Sequence, residues 1–79
     1  MSINQEIIND TFCRLIPYPN GNIMTIEGFE VLANWGEQQE WWQKFVWMND
    51  LDQNWRSTYL GDPYVFALLL FRFIMKSVA

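Results

Sequence analysis

Acid–base, nucleophilic and metal chemistry draw on a short set of side chains, and this chain holds few of them. It has no His, so the commonest general base and the commonest metal ligand are both missing. Neither a Ser-His-Asp nor a Cys-His nucleophile system can be assembled without one. The single Cys, Cys13, excludes an intramolecular disulfide and a multi-cysteine metal site. On a helical wheel it falls near Glu6 and Asn9, away from any cluster of bases. A reactive thiol needs electropositive surroundings or a helix N-terminus, so Cys13 is expected to be a small, partly buried residue in a reducing compartment.

Carboxylates are the remaining candidates. Glu27 with Glu30, and Glu37 with Glu40, are close enough in sequence to share a helix face. Acid–base work needs one member of such a pair buried, so that its pKa rises. Both pairs are expected to face solvent. The run Asp50-Leu51-Asp52-Gln53-Asn54 opens like a calcium loop. Its sixth position is Trp55, where glycine makes the sharp turn, and its twelfth is Gly61, where a bidentate Glu is needed. Asp52 and Asn54 are read as solvated turn residues. Gly21, Gly28, Gly36 and Gly61 are scattered and make no phosphate-binding loop. The expectation is no catalytic residue, no metal, no cofactor and no enzyme activity.

What the chain does hold is aromatic surface. Of 79 residues, 51 % are apolar and 18 % charged, and 18 % are aromatic, including five Trp. Disorder is excluded by that balance. A single small domain spanning residues 1–79 is expected, and a chain this short buries only about 60 % of the surface its unfolded form exposes. Trp41 and Trp42 are assigned to the core, and Trp47 and Trp55 to the surface.

The elements that must position these residues follow from apolar spacing. Ser2–Ile16 reads as an amphipathic helix with Ile3, Ile7, Ile8, Phe12, Leu15 and Ile16 inward, opened by a capping box of Ser2 and Gln5 and ended by Pro17. Residues 17–22 are a cluster of turn formers. Because Asn20-Gly21 is also a strong hairpin signal, a small hairpin of Thr11–Tyr18 with Ile23–Ile26 is the alternative. Ile26–Trp35 reads as a second helix, capped by Thr25 and closed by Gly36. Glu37–Met48 reads as a third, with Trp41, Trp42, Phe45, Val46 and Met48 on its core face and Glu40 paired to Lys44. Asn49–Gly61 reads as loop, with room for a short helical turn. Asp62-Pro63 opens a fourth helix, apolar nearly all round, that runs to about Ser77 and is the buried one. The fold expected is all-α, a compact four-helix bundle, with the second and third helices as an acidic hairpin.

Function is read from charge and surplus apolar surface. The net charge is −4, which opposes direct nucleic-acid binding. From Glu27 to Asp52 six acids face one base, Lys44, a local balance of −5, whereas residues 63–79 carry Arg72 and Lys76 and no acid. The longest apolar run, Tyr64–Phe71, is eight residues, and a membrane span needs about 20. Met1–Asp10 lacks the basic-then-apolar pattern of a signal peptide, so a cytoplasmic location is expected. The first expectation is a non-catalytic protein-binding module, a small acidic inhibitor or immunity-type protein that covers a basic site on a nucleic-acid-handling enzyme. Phage proteins directed against bacterial defence nucleases are of this type. Its contact residues would be Glu27, Glu30, Glu40 and Trp47. The alternative is a structural subunit or assembly factor held by the last helix. That helix is also the expected homodimer surface, through Val65, Leu69 and Arg72.

Overall fold

The computed structural model describes residues 4–16 and 21–78, with the side chains of the last two of these, 77 and 78, left aside. The described residues form five helices and no strand: α1 (Gln5–Leu15), α2 (Ile26–Glu37), α3 (Trp42–Met48), α4 (Trp55–Leu60) and α5 (Pro63–Val78). The fold is all-α, as the spacing predicts. The hairpin alternative does not form, because Thr11–Leu15, its first strand, is the end of α1. Residues 17–20, the rest of the predicted turn, lie outside the described residues.

Several boundaries differ from the sequence reading. Ser2, one half of the predicted capping box, lies outside the described residues. The side chain of Asn4 accepts from the Ile7 amide at 2.9 Å and so caps α1. Thr25 caps α2 as predicted, its Oγ1 accepting from the Gly28 amide at 3.0 Å. Gly36 does not close α2. It lies inside the helix, buried, and a Cβ there would sit 3.1 Å from the Trp42 ring. The helix therefore keeps its glycine for close packing, and Gln38 caps it instead. The third helix starts at Trp42 rather than Glu37, so Glu40 lies in the preceding turn and is not one helical turn below Lys44. Asn49–Gly61 is not plain loop: it contains α4.

The core is built from Ile8 and Phe12 of α1, Phe29 and Leu32 of α2, Phe45 of α3, and Phe66 and Leu70 of α5, all fully buried. α5 is the central element, packing on α1, α2 and α4. α2 leans on α4 and α5, and at Gly36 it packs against the Trp42 ring of α3. Helices as short as α3 and α4 are not stable by themselves in water. Their rings hold them. Trp55 of α4 stacks on Phe66 at 5.3 Å and 22° between planes, and Tyr59 reaches the same ring at 5.8 Å. Phe45 of α3 meets Phe66 edge-on at 6.1 Å. The core assignment of Trp42 holds and Trp41 is half-buried, but Met48 is exposed and Trp55 is half-buried rather than a surface residue.

The entry to α2 is fixed from α1. The Asn9 side chain donates to the Gly21 carbonyl at 2.7 Å and accepts from the Ile23 amide at 2.7 Å. Both bonds hold the turn flat against the first turn of α2. Gly28 is the consequence: a Cβ there would lie 2.3 Å from the Asn22 carbonyl oxygen and 2.4 Å from the Ile23 Cα. Gly61 is unlike it, with a right-handed backbone (φ −72°) and its nearest atom, the Thr58 carbonyl oxygen, at an ordinary 3.6 Å. Ala is intrinsically better than Gly in a helix by about 1 kcal/mol. Even so, Gly28→Ala is expected to destabilise the chain by about 1–3 kcal/mol, since backbone must move. Gly61→Ala is expected to be neutral or mildly stabilising. Urea unfolding followed by circular dichroism checks both.

Candidate functional site

The residues singled out in the sequence fall into two sets. The first is the acids and Trp47, each exposed on its own element. α2 presents Glu27 and Glu30 outward, Glu40 is exposed in the turn before α3, and Trp47 is exposed on α3. Trp47 shows 79 % of its surface to solvent. The other four tryptophans are spoken for: Trp42 is buried, and Trp35, Trp41 and Trp55 are half-buried against other rings. Trp35 meets Phe12 at 6.1 Å and Trp41 at 5.8 Å, both edge-on. The sequence places Trp47 correctly, on the polar side one helical turn from Gln43.

The acids of α2 have a cation beside them, from the stretch 49–61 that the spacing reads as loop. Arg56 of α4 folds back onto α2, donating to Asn34 Oδ1 at 2.8 Å and pairing with the Glu37 carboxylate. Its guanidinium also covers the Trp55 ring, 5.1 Å from the centroid. The local charge of −5 over residues 27–52 becomes −4 once Arg56 is counted. Nothing in the spacing of Glu37 and Arg56 reveals the pair, since it forms only when α4 docks.

The second set lies on α5. Val65, Leu69, Arg72 and Lys76 follow one another at helical spacing along one face. Val65, Arg72 and Lys76 are exposed, and Leu69 is half-buried. From Leu69 onward this face opens into a groove of about 510 Å³. Its other wall is Met48 and Asn49, at the end of α3. Met48 and Met75 keep 51 % and 42 % of their surface exposed. Arg72 and Lys76 are the charged residues of the lining, which contains no acid.

Cys13 is half-buried, its sulfur 3.9 Å from Asn9 Oδ1. Burial, helped by the nearby Asp10 carboxylate, pushes its thiol pKa up, which disfavours the reactive thiolate. In the loop that opens like a calcium site, the Asp52 carboxylate accepts from the Asn54 amide at 2.9 Å and so closes its own turn. Asp50 takes a positive φ of 51° there. Among the described residues no three His, Cys, Asp or Glu side chains group so as to hold a metal, and no helix is long and apolar enough to cross a membrane. No family model, curated protein or solved structure matches the chain.

The Arg56–Glu37 pair lies at the surface, whereas Trp55 of α4 packs on Phe66. An exposed ion pair contributes less than about 1 kcal/mol, whereas losing a large packed ring costs about 3 kcal/mol. Arg56→Ala is therefore expected to lower the unfolding free energy only slightly and Trp55→Ala to lower it several-fold more. Denaturant titrations of the two variants make the comparison.

Proposed function

We propose that the chain is a non-catalytic protein-binding module, an acidic inhibitor or immunity-type protein that covers a basic site on a nucleic-acid-handling enzyme in the cytoplasm. The observation that carries the reading is Trp47. In a chain that packs four of its five tryptophans, the fifth stands 79 % exposed on a domain of net charge −4. Trp is one of the residue types enriched among energetic anchors of protein interfaces. Its ring also offers a face to Lys or Arg, the side chains that dominate a nucleic-acid-handling surface.

The carboxylates of Glu27, Glu30 and Glu40 have a different part. Exposed charge steers the encounter and sets its salt dependence more than it sets final affinity. Trp47 is the group that gains from desolvation once the surfaces meet. A phage protein that blocks a host defence nuclease would need this combination of fast, charge-led capture and a slow off-rate.

The second reading is a structural subunit or assembly factor held through α5, to another chain or to a second copy as a homodimer. The groove beside Leu69 and Arg72 supports it. The two readings use different surfaces and separate by salt. Charge-led binding weakens as ions screen it, whereas apolar docking changes little.

Surface binding kinetics against basic nucleases, at low and high salt, test the first reading. Trp47→Ala is expected to raise the off-rate about thirtyfold, the equivalent of about 2 kcal/mol. Glu27→Lys combined with Glu30→Lys is expected to slow association and flatten its salt dependence. An off-rate unmoved by the first change, with an on-rate unmoved by the second, would reject this surface as the working one.

A further inference from the structure

We propose that the groove between the end of α3 and the last turns of α5 is a docking site for an acidic amphipathic helix of another protein. The inference rests on the second reading above, that α5 is a contact surface, and specifies its occupant.

The shape comes first. α5 is covered by α1, α2 and α4, and the Leu69–Arg72–Lys76 side of its C-terminal half carries the groove. Along α5 the groove runs from Leu69 to Lys76, a rise of about 10 Å or two helical turns. A helix laid along it would pack as one more member of the bundle, its apolar ridge entering between Leu69 and Met48. The two methionines on the rim, Met48 and Met75, are flexible and polarizable, which suits them to adapt to an incoming ridge.

Charge then selects the occupant. Arg72 and Lys76 border the apolar floor, and neither pairs with a carboxylate of a described residue. A second copy docked groove to groove would bring four cations together, because the lining has no acid to offer in return. Like charges brought together at an interface suppress that pairing. A helix with Glu or Asp flanking its apolar ridge meets both cations instead. The groove is also open along its length, whereas a site for a small amphiphile encloses most of its ligand.

The test uses two synthetic helical peptides of about 12 residues, with the same Leu ridge, one flanked by Glu and the other by Lys. Each is labelled, and fluorescence anisotropy is read against the full chain. The Glu peptide is expected to bind at least about tenfold more tightly than the Lys peptide. Arg72→Glu with Lys76→Glu is expected to invert that order. Both residues are exposed, and circular dichroism confirms that the variant keeps its helices. Leu69→Glu is expected to abolish binding of both peptides.

The outcomes separate the proposal from the reading beneath it. If Leu69→Glu removes binding but the two peptides never differ, α5 is a contact surface and the acidic occupant is wrong. If neither peptide binds, or Leu69→Glu changes nothing, both fail. A dimer in sedimentation equilibrium that Leu69→Glu dissociates, or dodecanoate occupying the groove where the Glu peptide does not, likewise overturns the acidic helix in favour of a second copy or an acyl carboxylate.

Discussion

The structure depends on one ring, Phe66. It lies fully buried on α5, and the rings around it come from three other helices: Phe29 from α2 at 5.3 Å, Trp42 and Phe45 from α3, and Trp55 and Tyr59 from α4. A domain of this size has little surface to bury, and each aromatic residue removes about 150–250 Å² from water. Large rings at one point therefore supply what a longer chain would spread over many aliphatic contacts. They also make α3 and α4 possible, since helices of seven and six residues do not persist without tertiary support. α1 joins the same core through Phe12, which touches Trp35 and Phe71 edge-on.

This arrangement sorts the aromatics and leaves a remainder. Rings that face α5 are consumed by the core. Trp47 projects from α3 away from it, and its neighbour Met48 opens onto the groove beside α5. Arg72 and Lys76 of α5 pair with no carboxylate of a described residue, whereas Arg56 of α4 crosses to Glu37 of α2. The acids and one indole are thus left exposed, and an apolar groove is lined by two cations.

Much of the fold was legible in the sequence. The 3.6-residue spacing located α1, α2 and α5, Thr25 marked the start of α2, and Pro63 opened α5. The exposure of Trp47 was legible too, from its polar neighbours one turn away. Five features were not. α4 has only Trp55 and Tyr59, four apart, as a sign of its apolar side, and its existence depends on Phe66 being there to receive them. Gly36 resembles a helix terminator in sequence, and only the nearness of the Trp42 ring explains why glycine continues the helix. The position of Glu40 in a turn, and the bridge from Arg56 to Glu37, follow from where α3 and α4 dock rather than from local spacing. Asn9 reads as a polar surface residue, yet both of its amide atoms hold the 21–23 turn.

The rings are divided, with Trp42 given to the core around Phe66 and Trp47 left to solvent. Fluorine NMR of the chain labelled with 5-fluorotryptophan measures this division directly, with each resonance assigned by a Trp→Phe variant and its shift compared in H2O and D2O. The largest solvent isotope shift is expected at Trp47, a small one at Trp42, and intermediate values at Trp35, Trp41 and Trp55. A Trp47 resonance as protected as that of Trp42 would contradict it, and the surface assigned to partner binding would lose its anchor.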